Sequence, residues 1–347
     1  VNREQGPLAG LKVIELASIG PGPFGAMMLA DMGAEVIRVD RVGGHPDGWG
    51  RSPVLDRNRT RLEIDLKSAE GVAAVLDLVA DADAILEGMR PGVAERLGVG
   101  PAECLARNPA LVYGRMTGWG QSGPYAGTAG HDINFLAVSG ALHGIGRAGG
   151  PPIPPINLLG DFGGGGLMLA FGVVCAIHAA RADGRGRVVD AAIVDGAAAL
   201  TGMIHGFLAE GEWTDERGVN LLDGGAPFYD TYACADGGYV AVGALESQFF
   251  RALVAHLGLE GDPDLEGDHL DRANWPAIRS RLTEVFAGRD RDEWARLFAD
   301  SDCCVSPVLS LREAVGDAHM ASRAAFAEVD GVMQPAPAPR FLRVRRR

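Results

Sequence analysis

Residues 11–40 read LKVIELASIGPGPFGAMMLADMGAEVIRVD, and the fold turns on how the centre of that stretch is taken. An apolar run from Leu11 to Ala17 leads into the loop GPGPFG, whose glycines 20, 22 and 25 scan as G-x-G-x-x-G. A helical pattern follows, and a second apolar run, AEVIRVD, closes on Asp40. The order is strand, glycine-rich turn, helix and strand, with an acid where a dinucleotide-binding fold places the residue that holds a ribose hydroxyl. Pro21 and Pro23 carry no N–H, however, which removes two of the donors that would cradle a pyrophosphate. The strand, loop, helix, strand reading stands, and a nicotinamide site is the least favoured use of it.

The surrounding chain bounds the answer further. With 347 residues, 47% of them hydrophobic and 22% charged, the sequence is long enough for a large core or for two domains. A formal net charge of -13 speaks against non-specific binding to nucleic acid or to an anionic membrane, so an anionic ligand needs a local basic patch. The cysteines Cys104, Cys175, Cys234, Cys303 and Cys304 form an odd set without a C-x-x-C pair, which indicates neither a disulfide framework nor a zinc site. A reducing, cytoplasmic compartment is expected. The N-terminus lacks the basic and then apolar pattern of a signal peptide. The most apolar stretch, residues 166–177, is too short to span a bilayer before His178 and Arg181 and reads as a buried helix.

From Leu11 to about Val194 the β-rich runs LKVIELA, AEVIRVD, DAILEG, ALVYGRM and RVVDAAIV alternate with helical patterns, the signature of a parallel sheet with helical crossovers. Residues 1–196 are therefore assigned to a large domain and residues 197–223 to a linker or crossing helix. From Gly224 the pattern changes. YDTYACADGGYVAVGAL predicts an antiparallel hairpin turning at Asp236-Gly237. Helices are expected over SQFFRALVAHLG, WPAIRSRLTEVFA and RDEWARLFAD, the last capped by Asp290 or Asp292. This smaller domain runs over residues 224–315. Residues 316–347 form a return segment, in which PAPAPR is too rich in proline to be helical and RVRRR is a solvated basic tail.

Two stretches carry candidate chemistry. In AGHDINFLAVSGAL a helix is expected to begin near Asp132, which places His131 at a helix N-terminus. Asp132 as a simple cap is one reading. The other uses the positive end of the helix dipole, which keeps an imidazole neutral and basic and offers free amides to a developing oxyanion. In INLLGDFGGGGLMLAFGVVCAI, Asp161 precedes four consecutive glycines, expected to admit a ligand close to the backbone. Apolar surroundings would raise the Asp161 pKa and let it hold a proton near neutrality. Arg38, Arg41, Arg57, Arg59, Arg61, Lys67, Arg90 and Arg96 are concentrated in the first hundred residues of an acidic chain, which suggests a phosphate-bearing ligand.

GLKVIELASIGPGPFGAMMLADMGAEVIRVDR, DLKS, GMRPGVAERLG, RMTGWGQSGPYAGTAGHDINF, GDFGGG, DAAIVDG and LDGGAPFYDTYACADGGYVAVGALE together resemble the family III CoA-transferase (CaiB/BaiF) group, and within it the α-methylacyl-CoA racemase branch. The likeness runs from Gly6 to about Arg340. It implies an α/β architecture: a Rossmann-like large domain with a parallel sheet, completed by the C-terminal segment, a smaller α/β domain, and an interlocked homodimer. The opening loop is then the family's first turn from strand to helix.

Residue by residue, the resemblance puts His131 and Asp161 on the two acid/base positions, Glu246 on the carboxylate that supports the histidine, and the backbone N–H of Asp132 on the thioester oxyanion. CoA would be held by Arg41, by Ile64, Asp65, Leu66 and Lys67, by Gly88, Met89 and Arg90, by Arg96, and by Gly130, Ile133, Asn134 and Phe135. Phe135 stands where the family usually has tyrosine, and the sequence stops in RVRRR before the acidic tail that relatives usually have. The implied activity is racemisation at C2 of 2-methylacyl-CoA thioesters, with CoA as part of the substrate and no metal or separate cofactor. The alternatives are a CoA-transferase using Asp161 as nucleophile, against which His131 counts, and a non-catalytic acyl-CoA-binding protein.

Overall fold

Val13 and Ile14 fall on opposite faces of β1 (Lys12–Leu16), and two hydrophobic cores grow from that alternation. The computed structural model describes residues 6–44 and 52–342, so the basic tail, residues 343–347, lies outside the described residues. The chain divides into two units. One holds the chain up to Ala141, then Pro154–Gly202, and everything from Ala321 on; the other holds Leu142–Ile153 and Met203–Met320.

In the first unit α1 (Pro21–Asp31) follows β1 and leads to β2 (Glu35–Asp40) and β3 (Arg59–Glu63). Next come α2 (Ala69–Val79), β4 (Ala84–Glu87), α3 (Val93–Leu97), α4 (Pro101–Arg107) and β5 (Val112–Thr117). After these come α5 (Asp132–Val138), a π-helix (Leu158–Leu167), α6 (Met168–Asp183), β6 (Arg187–Ala192) and α7 (Ile193–Leu200). All six strands are parallel, in the order β3-β2-β1-β4-β5-β6. That is the doubly wound order, whose direction reverses between β1 and β4. Leu29, Leu169, Val173 and Ile177 of α1 and α6 cover one face of the sheet, and Val75, Val79 and Cys104 of α2 and α4 cover the other. Full burial of each large apolar side chain contributes about 1.5–3 kcal/mol.

Five of the strands coincide with the apolar runs. The sixth, β3, does not, because an edge strand needs no apolar run and this one exposes four of its five residues. Its arginines are not a phosphate patch. Arg59 pairs with Glu15 and, at 3.1 Å, with Asp56, while Arg61 reaches Asp40 at 2.5 Å and Asp56 at 3.1 Å. Buried Arg38 joins the same network, 2.9 Å from Glu15 and 3.0 Å from Asp40. Arg57 lies 2.5 Å from Asp31. Asp40, the acid that suggested a ribose contact, is thus enclosed by two guanidinium groups.

The glycine run also departs from expectation. Gly164, Gly165 and Gly166 are buried against protein rather than opened to a ligand. A Cβ on Gly166 would stand 2.5 Å from the Pro21 carbonyl oxygen, and one on Gly164 would stand 2.7 Å from the Ala197 nitrogen. The glycines let the π-helix lie directly on α1 and α7. The π-helix and α6 together run from Leu158 to Asp183, 26 residues, long and apolar enough to cross a bilayer by length and composition, so the segment is longer than the twelve-residue apolar stretch suggested. It is buried on one face only: Leu167, Phe171 and Val174 are exposed.

The second unit contains most of α8 (Gly202–Glu210), so half of the expected linker is helical. The hairpin β7 (Tyr229–Ala233) and β8 (Tyr239–Gly243) is antiparallel as expected, and helices α9 (Ser247–His256), α10 (Trp275–Phe286) and α11 (Arg291–Phe298) pack on it. Asp290 caps α11. A third strand, β9 (Val305–Pro307), joins β8. After α12 (Leu311–Gly316) and α13 (Ala318–Ser322), the strands β10 (Phe326–Val329) and β11 (Val332–Pro335) form a hairpin that returns to the first unit. Arg57 holds it there, donating to the Gln334 side chain at 3.0 Å and to the Pro335 carbonyl at 2.8 Å. Leu142–Ile153 belongs to the second unit, whereas the sequence reading kept it in the large domain.

Candidate active site

A doubly wound sheet binds ligands beyond the carboxyl ends of its strands, where the strand order reverses. Here the chain leaves β1 through Ser18, Ile19 and Gly20, and leaves β4 through Gly88, Met89 and Arg90. Both segments line a cleft of about 660 Å³. Gly20 has φ 71°, a left-handed conformation that favours glycine, and a Cβ there would stand 3.4 Å from Oδ2 of Asp161. Pro21 opens α1 at its first position, where a missing N–H is harmless to the helix. Pro23 likewise has no N–H, and the amide of Phe24 bonds to the Gly20 carbonyl at 3.1 Å, so residues 21, 23 and 24 of this turn offer no donor to a pyrophosphate.

His131 and Asp161 line this same cleft. His131 is exposed and caps the N-terminus of α5, and its own N–H donates to the Asn134 side chain at 3.0 Å. Asn134 therefore acts as a capping residue. Asp161 sits in the first turn of the π-helix, in which Phe162 N–H bonds to the Asn157 carbonyl at 3.3 Å. Phe162 stacks on Phe24 at 4.5 Å and anchors the turn. Burial raises the pKa of Asp161 above the ordinary carboxylate value, and the charge of Asp132 raises it further. A hydrogen bond from Asn157 and the charge of His131 act in the opposite direction. Buried Asp132 accepts the Asp161 N–H at 2.6 Å. The Asp132 amide belongs to the first turn of α5, whose N–H groups have no earlier helical carbonyl to bond.

Phe135 forms the floor. It is 5% exposed, meets Trp119 edge to face at 4.7 Å, and comes so close to Gly130 that a Cβ there would stand 2.7 Å from its ring.

A second cleft, of about 270 Å³, opens over the ends of β1, β2 and β3 and is lined by Arg41, Ile64, Asp65, Leu66 and Lys67. Ser18, Ile19 and Met89 line both clefts, so the two adjoin. Gly88, Arg90, Gly130 and Phe135 belong to the first. Arg96 is exposed on α3 and Ile133 on α5, outside both linings. Arg41, Lys67, Arg90 and Arg96 make no ion pair among the described residues, unlike the arginines of β3. Glu246 belongs to the second unit, where it is exposed and caps α9. Sequence reasoning missed Asn157. Its signal is an amide four residues before Asp161 on a helical segment.

The sequence matches the family model for CoA-transferase family III over residues 8–345. It is 46% identical to a mouse (Mus musculus) alpha-methylacyl-CoA racemase and 43% identical to the human (Homo sapiens) one, each over 96% of this chain and 85% and 86% of those proteins. Among solved structures, a CaiB/BaiF family protein from Brucella suis superimposes with a TM-score of 0.83 at 25% identity, over 97% of this chain and 93% of that one. The doubly wound sheet, the adjoining clefts at its switch point and this family-wide match lead to one conclusion: the chain belongs to the family III CoA-transferases.

Proposed function

We propose that the protein inverts the configuration at C2 of 2-methylacyl-CoA thioesters. The observation that carries this reading is the presence of His131 and Asp161 in one cleft that adjoins a second cleft bearing unpaired basic residues. The basic cleft takes the phosphate end of CoA, and the thioester reaches the two acid/base groups.

A thioester carbonyl makes the C2 hydrogen weakly acidic. Removing it as a proton gives a planar enolate, and return of a proton to the opposite face inverts the centre. That needs two groups, one on each side. His131 and Asp161 take these parts and exchange them for the other enantiomer, while the Asp132 amide donates to the enolate oxygen. The raised pKa of Asp161 supports its use as a proton store and weakens the case for it as a nucleophile. Each acid/base group is worth about 10²–10⁴-fold and the oxyanion donor about 10²–10³-fold. Glu246 would steady the imidazole.

The interlocked homodimer and a cytoplasmic location belong to the same reading. A second copy would cover the exposed Leu167, Phe171 and Val174 of the π-helix and α6. Five free cysteines suit a reducing compartment.

Incubation of an enantiopure 2-methylacyl-CoA with the purified protein in D₂O tests the reaction. Deuterium at C2 together with the inverted enantiomer is expected without added metal, NAD or acceptor acid. Movement of CoA to an added carboxylate, with no deuterium at C2, would replace the proposal by a transferase acting through Asp161.

A further inference from the structure

The segment between β4 and α4 carries Arg90 and Arg96, yet neither arginine has an ion-pair partner of its own among the described residues. Its shape is set from β5. Arg115, 7% exposed, donates through Nε to Glu87 at 2.9 Å and through Nη1 and Nη2 to the two carboxylate oxygens of Glu95 at 2.8 and 3.3 Å. The other oxygen of Glu87, itself 2% exposed, accepts the Met89 N–H at 2.6 Å. Two residues earlier on the same face of β5, the buried Tyr113 hydroxyl donates to the Val99 carbonyl at 2.9 Å. The segment is therefore clamped at its start, middle and end. Gly92 and Gly98, both left-handed with φ 80° and 78°, bracket α3 between these clamps, and a Cβ on Gly92 would stand 3.2 Å from the Arg96 guanidinium.

A planar guanidinium that bridges two carboxylates fixes both in distance and orientation, which an ammonium on a flexible stem does not. We propose that Arg115 is a positioning residue for the phosphate end of the substrate: through Glu87 it sets the loop bearing Arg90, and through Glu95 it sets the helix bearing Arg96. The inference rests on the acyl-CoA reading above. It gives Glu95 a role opposite to its charge. An acid beside an anion site weakens phosphate binding by simple electrostatics, so its neutralisation should tighten CoA; as the holder of α3, its neutralisation loosens CoA.

Glu95→Gln decides between these, because the Glu95 side chain is 42% exposed and its loss leaves the pair between Arg115 and Glu87 intact. Calorimetric titration with free CoA is expected to show roughly tenfold weaker binding, with KM for the acyl-CoA raised in parallel and kcat held within about twofold. Arg96→Ala is expected to weaken binding similarly, and the double variant no more than Arg96→Ala alone. Arg115→Lys, which loosens the hold on both Glu87 and Glu95, should weaken binding at least as much as Glu95→Gln. Tighter binding in Glu95→Gln, or losses that add in the double variant, would overturn the positioning role. If wild-type protein does not bind CoA, or Arg96→Ala binds it unchanged, the acyl-CoA reading of this segment fails instead.

Discussion

The backbone N–H of Asp161 donates to the carboxylate of Asp132 at 2.6 Å, so one acid both fixes the position of the other and raises its pKa. Burial acts in the same direction, and more strongly. Because folding holds Asp161 above its unfolded pKa, its stabilising form is the protonated one. That contribution is complete below the unfolded value of about 3.9 and is lost as pH rises through the raised folded value.

Asp161→Asn should therefore fold more stably than the wild type at pH 7, with a higher melting temperature, while losing racemisation. The gain should shrink as pH falls toward 4.5. Melting curves across that range check it, and a constant offset would show that the carboxylate's ionisation is not its source.

Asp132→Asn keeps the backbone amide but removes one cause of the raised pKa. The rate limb that reports ionisation of Asp161 as a base should move to lower pH. A pH profile of C2 exchange from the enantiomer deprotonated by Asp161 measures this, and a limb that stays in place would detach the two acids.

His131→Ala and Asp161→Ala should each abolish racemisation while sparing exchange from opposite enantiomers. Each variant retains one base for one face of the enolate. Enantiopure substrates in D₂O followed by NMR report it; equal loss from both enantiomers in both variants would require a single-base mechanism or a shared proton network.

The arginines should divide into two classes. Arg41→Ala is expected to weaken CoA binding about tenfold, and wild-type binding should fall with rising salt, with little change in melting temperature. Arg57→Ala should leave CoA affinity unchanged and cost up to about 3–5 kcal/mol, because it leaves Asp31, which is 2% exposed, with the Asn58 amide but no cation among the described residues. Parallel titration and urea unfolding separate the classes.

Gly166→Ala should destabilise the protein by about 1–3 kcal/mol or more, since the added Cβ would press on the Pro21 carbonyl, which is backbone and cannot swing away. Gly206→Ala, in α8 with nothing within 4 Å of its Cβ position, should stabilise by about 0.5–1 kcal/mol. Urea midpoints of both variants test the contrast.

Apolar runs were enough to find β1, β2, β4 and β5 because a strand buried on both faces needs a continuous apolar run, and edge strand β6 was found from the valines and alanines of RVVDAA although only Ala191 and Ala192 are buried. The runs failed at β3, where Arg59 and Arg61 face acids on neighbouring segments that a linear reading cannot pair. The raised pKa of Asp161 was legible from its apolar neighbours. The burial of Gly164 and Gly166 was not, because a glycine that admits a ligand and one that admits another helix look alike in sequence. The position of His131 at a helix N-terminus was legible from Gly130 and the pattern beyond it, but the cap is His131 itself and not Asp132, which lies in the first turn. Glu246 came only from resemblance, since an exposed acid before a helix carries no local mark of chemistry.

The π-helix has a consequence for how this cleft tolerates insertions and deletions. A residue removed between Asp161 and Met168 would turn Asp161 by roughly a quarter of a turn about the helix axis relative to α6, carrying its carboxylate away from its place in the cleft while leaving every residue type in place. The glycine run is therefore a counted spacer: its length sets the bearing of the acid, as its lack of side chains sets the depth.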